Sequence, residues 1–305
     1  MFELLMSALY TNANEIQGGV QVIELKKERF RELIPILRTA DINSLFAMSV
    51  LEGKVGGKVF VDDSASPASF YLQHPYGMNL LFGENGKEDF YESLKPHLLD
   101  FHKTRKKAEW LQVYPAALYS KMDTLLADRL RKKDPEEPYS DSSVVEAGKV
   151  LEYQRINFIF QQEKYLSFRK SLPSKHQKIV STTELIFNRL AGSVVPKYFW
   201  NSFRDFEAYG IGFTLLLNDK IPASTAFASF VIDRKLEIGI ETVADYRGSG
   251  FAASVCAQLI DYCLEHGLEP VWSCNSGNIG SRKLAQKLGF EECKRIPYYR
   301  LPLSF

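Results

Sequence analysis

The chain carries almost no net charge. Its 38 Lys and Arg stand against 37 Asp and Glu over 305 residues, a formal +1, so composition gives no reason to expect a nucleic acid or an anionic membrane as partner. No run of about 18 apolar residues occurs, so no membrane-spanning helix is expected. The first residues, MFELLMSALYTNANE, lack a basic stretch and a small-residue cleavage pattern, which makes the cytoplasm the default location. Cysteine is scarce: Cys256, Cys263, Cys274 and Cys293 all fall late in the chain, with no Cys-x-x-Cys pair. That argues against a disulfide framework and for a reducing compartment, and no metal is expected. Two phosphate-binding patterns are also missing. There is no Gly-x-Gly-x-x-Gly, as a dinucleotide fold would need, and no Gly-Lys-Ser/Thr, as a P-loop would need.

What is present suits a globular protein. Hydrophobic residues make up 45% and charged residues 25%, with 21 Phe and 15 Tyr. The length accommodates two domains of roughly 150 residues. The stretch Arg131 to Ser143, RKKDPEEPYSDSS, has little to bury and reads as a linker or surface loop. It divides the chain into an N-terminal α/β lobe at 1–135, a linker at 136–143 and a second domain at 144–305.

In the first lobe, Lys27 to Arg38 has helical spacing. Lys58 to Asp62, Ala68 to Leu72 and Met78 to Phe82 read as strands. Glu88 to His102 reads as a helix interrupted near Pro96. In the second, strands are expected at Tyr153–Phe160, Gly212–Leu217, Ala223–Ile232, Leu236–Val243 and, as one short piece, Pro270–Cys274. Helices are expected at Ser181–Leu190, Ser249–His266 and Ile279–Leu288. The second of these ends at Gly267, where a C-terminal cap belongs. FVDDSASPASFYL in the first lobe weakly echoes LLLNDKIPASTAFASF in the second, which leaves open an internal duplication or merely two ordinary hairpins.

The stretch IETVADYRGSGFA, Ile240 to Ala252, runs from strand through two glycines into the longest helix. Glycine reaches positive φ freely and lets a ligand approach the main chain. A helix start exposes unpaired N–H groups, and its dipole favours an anion. A strand, a glycine turn and a helix N-terminus make a site for a phosphate or diphosphate, to which Arg247 adds a charge. Alternatively, the glycines only shape a tight turn.

The order that follows is Arg247-x-x-Gly250-x-Ala252, a long helix, Val271-Trp272-Ser273-Cys274, an Asn278-bearing segment, a helix, then Lys287-Leu288-Gly289-Phe290. It resembles the GNAT N-acetyltransferase superfamily, in particular a bacterial, two-lobed branch that Val195-Pro196-Lys197-Tyr198-Phe199-Trp200 also fits. The resemblance covers about Val194 to Phe290. The first lobe is left as a degenerate copy at most, since it has no Arg-x-x-Gly counterpart. The implied fold is α/β (α+β), a mixed, mostly antiparallel sheet flanked by helices. The implied co-substrate is acetyl-CoA or another acyl-CoA, with a primary amine on a small molecule or peptide as acceptor. By the same resemblance, Arg247, Gly248, Ser249, Gly250, Phe251 and Ala252 would hold the diphosphate. Thr242 and Val243 would pair with the pantetheine arm, and Asn278 and Ser281 would contact the carrier. Asn278 also suits a helix N-cap.

Transfer to an amine calls for a base and gains from stabilisation of the developing oxyanion. Glu241, in an apolar strand, is the base candidate, the alternative being a solvated or ion-paired carboxylate. Glu237 shares its face but is expected further from the thioester. The family's usual acid, a Tyr, is replaced by Ala285. Tyr298 or Tyr299 then serves, or the thiolate leaves unaided, or both are core aromatics. An acyl-CoA-binding sensor without turnover is the alternative function. Cys274 is a weaker candidate nucleophile.

Overall fold

The structure, a computed structural model, describes residues 22–135, 137, 148–172 and 178–303. The expected linker at 136–143 lies, apart from Glu137, outside the described residues.

The two halves of the chain repeat one order of elements. In the first, β1 (Ile23–Glu24), β2 (Lys58–Val61), β3 (Phe70–Gln73) and β4 (Met78–Phe82) run as an antiparallel meander. The helix Glu88–Leu98 crosses over, and β5 (Glu109–Tyr114) returns parallel to β4. A short β6 (Leu130–Lys132) and the long β7 (Val150–Phe160) follow. In the second half, β8 (Lys178–Ser181), β9 (Gly212–Leu217), β10 (Ile221–Ile232) and β11 (Lys235–Thr242) form the meander. The helix Phe251–Glu265 crosses over, and β12 (Glu269–Val271) returns parallel to β11. Then come β13 (Ser273–Asn275), the helix Ile279–Lys287 and β14 (Phe290–Leu301).

Local sequence explains the turns. Asn218-Asp219 and Asp233-Arg234 occupy consecutive left-handed positions, with φ of 47° and 61°, and of 47° and 64°. Two such residues make the type I′ turn whose twist matches a hairpin. The helix Phe251–Glu265 buries Val255, Cys256, Leu259, Ile260 and Cys263, the periodic face expected of it. Gly267, at φ 61°, terminates it.

Among the described residues the strands form two sheets. One is ordered β1-β2-β3-β4-β5-β14-β7-β13, with β6 on β7, and the other β12-β11-β10-β9-β8. This is the mixed, mostly antiparallel α/β architecture that the sequence led us to expect. β14 joins the halves. It pairs with β7 along most of its length and with β5 through Tyr298–Leu301.

Three expectations need correction. The helix from Glu88 continues through Pro96 to Leu98; Pro96 lies in its last turn, where its missing N–H costs the bond to the i−4 carbonyl, and the helix ends two residues later. Ser181 ends a strand, and the helix starts only at Glu184, capped by Thr183. Pro270–Cys274 is two strands in different sheets, divided at Trp272.

The halves also meet through an aromatic core. The helix Leu45–Leu51 is buried throughout, and Phe46 shares a core with Phe199, Phe227 and Phe230 of the second half. Between them lies His74, 3% exposed, edge-on to Phe230 at 5.3 Å and to Phe46 at 6.4 Å. Its Nδ1 accepts from the Tyr76 N–H at 3.0 Å, so the ring is held neutral with its proton on Nε2. Burial, helped by the charge of Lys107, lowers its pKa to about 3 from the usual 6.5.

Above the usual value both folded and unfolded chains hold His74 neutral. Below it, the unfolded chain takes a proton that the folded chain refuses until about pH 3. Stability should therefore fall as pH drops from about 6.5 toward 3, with His74 contributing up to ~1.4 kcal/mol per pH unit. His97, also lowered mainly by burial, acts in the same direction. Urea unfolding between pH 4 and 7 should show a shallower slope in His74→Gln, which keeps an acceptor for Tyr76. An unchanged slope would discharge His74 from this role.

Candidate active site

β11 and β12 stay paired only through Lys235/Glu269, Leu236/Pro270 and Glu237/Val271. At Trp272 the chain changes partner. The Trp272 carbonyl accepts from the Phe158 N–H at 3.2 Å, and β13 pairs with β7 through Ser273/Asn157 and Asn275/Arg155. The indole is buried, 2% exposed, and donates to Ser281 Oγ at 3.1 Å. Beyond Glu237, β11 therefore keeps its β10 neighbour but, among the described residues, has no strand on its other edge. A strand edge with free N–H and C=O groups accepts an extended ligand as it would another strand.

This free edge leads to the glycines. After Thr242 a single 3₁₀ turn, Ala244–Tyr246, brings the chain to Gly248 and Gly250, at φ 82° and 81°. A Cβ added at either would meet nothing within 4 Å. Packing therefore does not demand glycine here; the backbone conformation does, and it leaves open space over the main chain. Gly250 is the N-cap of the 15-residue helix Phe251–Glu265, and no side chain caps it. Arg247 is 68% exposed along its side chain; its Nε donates to the Thr242 carbonyl at 3.2 Å. The structure thus brings Thr242, Val243 and Arg247–Ala252 together at the open mouth of the strand parting.

Asn278 and Ser281 lie on the opposite strand's continuation. Asn278 Oδ1 accepts from the Ser281 N–H at 3.0 Å and caps the helix Ile279–Lys287. Ser281 also holds Trp272 in place. Ala285, where the family would carry a Tyr, is fully buried in the core.

Glu241 is tied to a neighbouring loop. Its Oε2 accepts from the backbone N–H groups of Ser193 and Val194 at 2.9 and 3.0 Å, while Oε1 receives Arg247 Nη2 at 3.4 Å. A Cβ on Gly192, at φ 138°, would come within 2.5 Å of Oε2, so glycine there lets the loop close on the carboxylate.

Tyr298 and Tyr299 point to opposite faces of β14. Tyr299 packs in the helix-covered core with Leu111, Leu118 and Met122. Tyr298 stacks on Trp110, centroids 4.5 Å apart, and lies 5.3 Å from the Arg155 guanidinium carbon. Burial raises both phenol pKa values. Cys274 is buried and its thiol pushed up to about 11, chiefly by burial, so it stays protonated at neutral pH. Cys256 and Cys263 are core residues.

Sequence reasoning set Glu237 aside, yet the structure places it where the strands part. Its Oε1 accepts from Arg155 Nη2 at 3.2 Å and from Ser273 Oγ at 3.1 Å. Ser273 Oγ in turn accepts from Arg155 Nη2 at 3.0 Å and Asn43 Nδ2 at 2.6 Å, while the Asn43 N–H donates to Asn157 Oδ1. This buried polar cluster draws on both halves of the chain. It leaves Arg155 Nε, Glu237 Oε2, Asn157 Nδ2 and Asn275 Nδ2 without a partner among the described residues, each at a cost of about 1–3 kcal/mol. One local signal pointed to it, a glutamate in an otherwise apolar strand; Arg155 is 82 residues away.

Comparison with known proteins agrees with this fold. The profile described as GNAT acetyltransferase matches residues 38–299. The chain is 26% identical over 257 residues to the uncharacterized N-acetyltransferase YdfB of Bacillus subtilis (strain 168), covering 83% of this chain and 89% of that protein. A GCN5-related N-acetyltransferase-like protein from Streptococcus suis 89/1591 shares its fold at TM-score 0.64 and 22% identity, over 90% of this chain and 98% of that one. A tandem GNAT protein from the clavulanic acid biosynthesis pathway aligns at TM-score 0.55 and 10% identity, over 93% and 99%. Matched over most of its length, and with strands parting beside a glycine-led helix, the chain belongs to the GNAT acetyltransferase family.

Proposed function

We propose that the protein transfers an acyl group, acetyl in the simplest case, from CoA to a primary amine by direct attack on the thioester. The observation that carries this reading is the free edge of β11 running into two left-handed glycines and an uncapped helix N-terminus. The N–H groups around Gly248, Gly250 and Ala252 would hold the diphosphate. Arg247 would turn from Thr242 to add a charge-assisted contact, and the β11 edge at Thr242 and Val243 would pair with the pantetheine arm. Asn278 and Ser281 face this carrier from the far side while keeping their structural bonds. No metal is invoked.

Glu241 is the base in this reading. Oε2 is committed to two amides, so Oε1, once Arg247 turns away from it toward the diphosphate, is the oxygen left to take a proton, directly or through water. Its ties to Ser193 and Val194 fix its position. A second reading assigns the proton to Glu237, favoured by its position at the parting and its unpartnered Oε2. Tyr298 shares a face with that cluster and is the better placed of the two tyrosines to protonate the thiolate. If no acid acts, solvent does.

Calorimetric titration with acetyl-CoA should show one site. Gly250→Val, which forces a β-branched residue to positive φ, should weaken binding about tenfold or more. Unaltered affinity would remove the glycine loop from the site.

With a panel of amines, thiol release should follow carrier binding. Glu241→Gln can still accept both amides through its amide oxygen, so it should keep carrier affinity while kcat falls by about 10²–10⁴-fold. If Glu241→Gln keeps its kcat and Glu237→Gln loses it, the second reading holds. A carrier that binds with no amine turned over would instead indicate a sensor.

A further inference from the structure

The unpartnered atoms of the buried cluster form a pattern. Arg155, Asn157, Asn275 and Glu237 are 7%, 5%, 8% and 6% exposed. Three of them present a free N–H, and Glu237 presents a free anionic oxygen. Arg155 and Asn275 sit directly opposite each other across β7 and β13, as do Asn157 and Ser273. Opposed residues hold their Cβ atoms about 4.5–5.5 Å apart on one face of the sheet, so Arg155, Asn157 and Asn275 stand together on that face. Glu237 joins them through its bonds to Arg155 and Ser273.

A ligand that satisfies all four atoms must bring an acceptor-rich, anionic group for the donors. Next to it must stand a nitrogen donor for Glu237. A free α-amino acid has both on one carbon. A plain amine leaves the three donors unsatisfied, and a peptide N-terminus offers only a neutral carbonyl beside its nitrogen. Charge-assisted bonds to a carboxylate are the stronger ones, and a site built to bond a polar group rejects analogues that lack it.

We propose that the acyl acceptor is a free α-amino acid, with its carboxylate on Arg155, Asn157 and Asn275 and its amine on Glu237. This rests on the acyl-transfer reading above and names its substrate class. The bound ammonium first sheds one proton. Its lone pair then attacks the thioester carbonyl carbon, the C–N bond forms and the C–S bond breaks. The nitrogen loses a second proton as the thiolate gains one. The ammonium form of the amino acid and acyl-CoA thus give N-acyl amino acid, free CoA and one proton. Asn43, on the connection between two helices of the first lobe, is bonded over the cluster through Asn157 and Ser273. That connection has to lift for a ligand to enter.

The test pairs each of several amino acids with its decarboxylated amine and with a dipeptide bearing the same N-terminal residue, acetyl-CoA being the donor. At least one amino acid should exceed both partners in kcat/KM by tenfold or more. Arg155→Lys removes the Nε fork and Asn275→Ala one donor; each should pull that ratio toward one, mainly through the KM for the amino acid. Circular dichroism and acetyl-CoA affinity check that the variants fold. Amines or dipeptides acetylated as well as the amino acids would overturn the proposal and leave acyl transfer standing, as would variants that keep the ratio. Should nothing turn over, amino acids that fail to raise the melting temperature of the acetyl-CoA-bound protein would also overturn it. Failure of acetyl-CoA to bind would strike the parent reading instead.

Discussion

Every feature of the candidate site depends on one strand changing partners at Trp272. Parallel neighbours normally share hydrogen bonds along their length. Here β12 gives up β11 after Val271, and β13 is captured by β7. Trp272 makes the exchange tolerable, because its ring is buried in the second core and its indole N–H is satisfied by Ser281. The consequence is a β11 edge whose polar groups, among the described residues, have no strand to bond, opening toward the helix start at Gly250. An unpaired edge is ordinarily a liability. Placed between two parting strands, it is shielded from other chains and open to a slender ligand.

The first half of the chain shows what happens without that exchange. It has the same meander, crossover helix and returning parallel strand. But β4 and β5 remain paired from Met78/Trp110 to Phe82/Tyr114, so no edge is released. Its crossover helix begins with Glu88 and Asp89, and two carboxylates at a helix start already satisfy its dipole and repel a phosphate. This lobe contributes otherwise. Its β5 holds β14 in place, its helix Leu45–Leu51 supports the aromatic core around His74, and its Asn43 closes the polar cluster.

The parts of this arrangement legible in the sequence are the local ones. The helix Phe251–Glu265 has a periodic apolar face and a terminating glycine. Gly248 and Gly250 mark the positions where only glycine sits comfortably, and Asn278 has the composition of a cap. Hairpins at Asn218-Asp219 and Asp63-Ser64-Ala65-Ser66-Pro67 follow from turn residues. What stayed hidden is non-local. Pro270–Cys274 reads as one apolar strand, since hydrophobicity does not say which neighbour supplies the hydrogen bonds. The union of β14 with β5 joins residues nearly 200 positions apart, and no periodicity reports on it. Arg155 lies in a strand that alternates normally; only pairing with β13 brings it to Glu237.

The two glutamates of β11 are a lesson in how placement divides the work of like groups. Both are on the same strand, four residues apart, and both are largely withdrawn from water. Glu241 is met by two main-chain N–H groups, which come from a loop that Gly192 allows to approach. Such bonds hold the side chain still, so its position is set by the backbone. Glu237 is met by side chains alone, Arg155 and Ser273, and only through one of its oxygens. Its second oxygen is dehydrated and unpaired, a costly state in a medium of low polarity. A carboxylate so placed gains more from a new hydrogen-bond donor than one already saturated. The strand therefore carries one carboxylate fixed by the backbone beside the glycine turn and a half-satisfied one where the strands part. The second is where an incoming nitrogen has most to contribute.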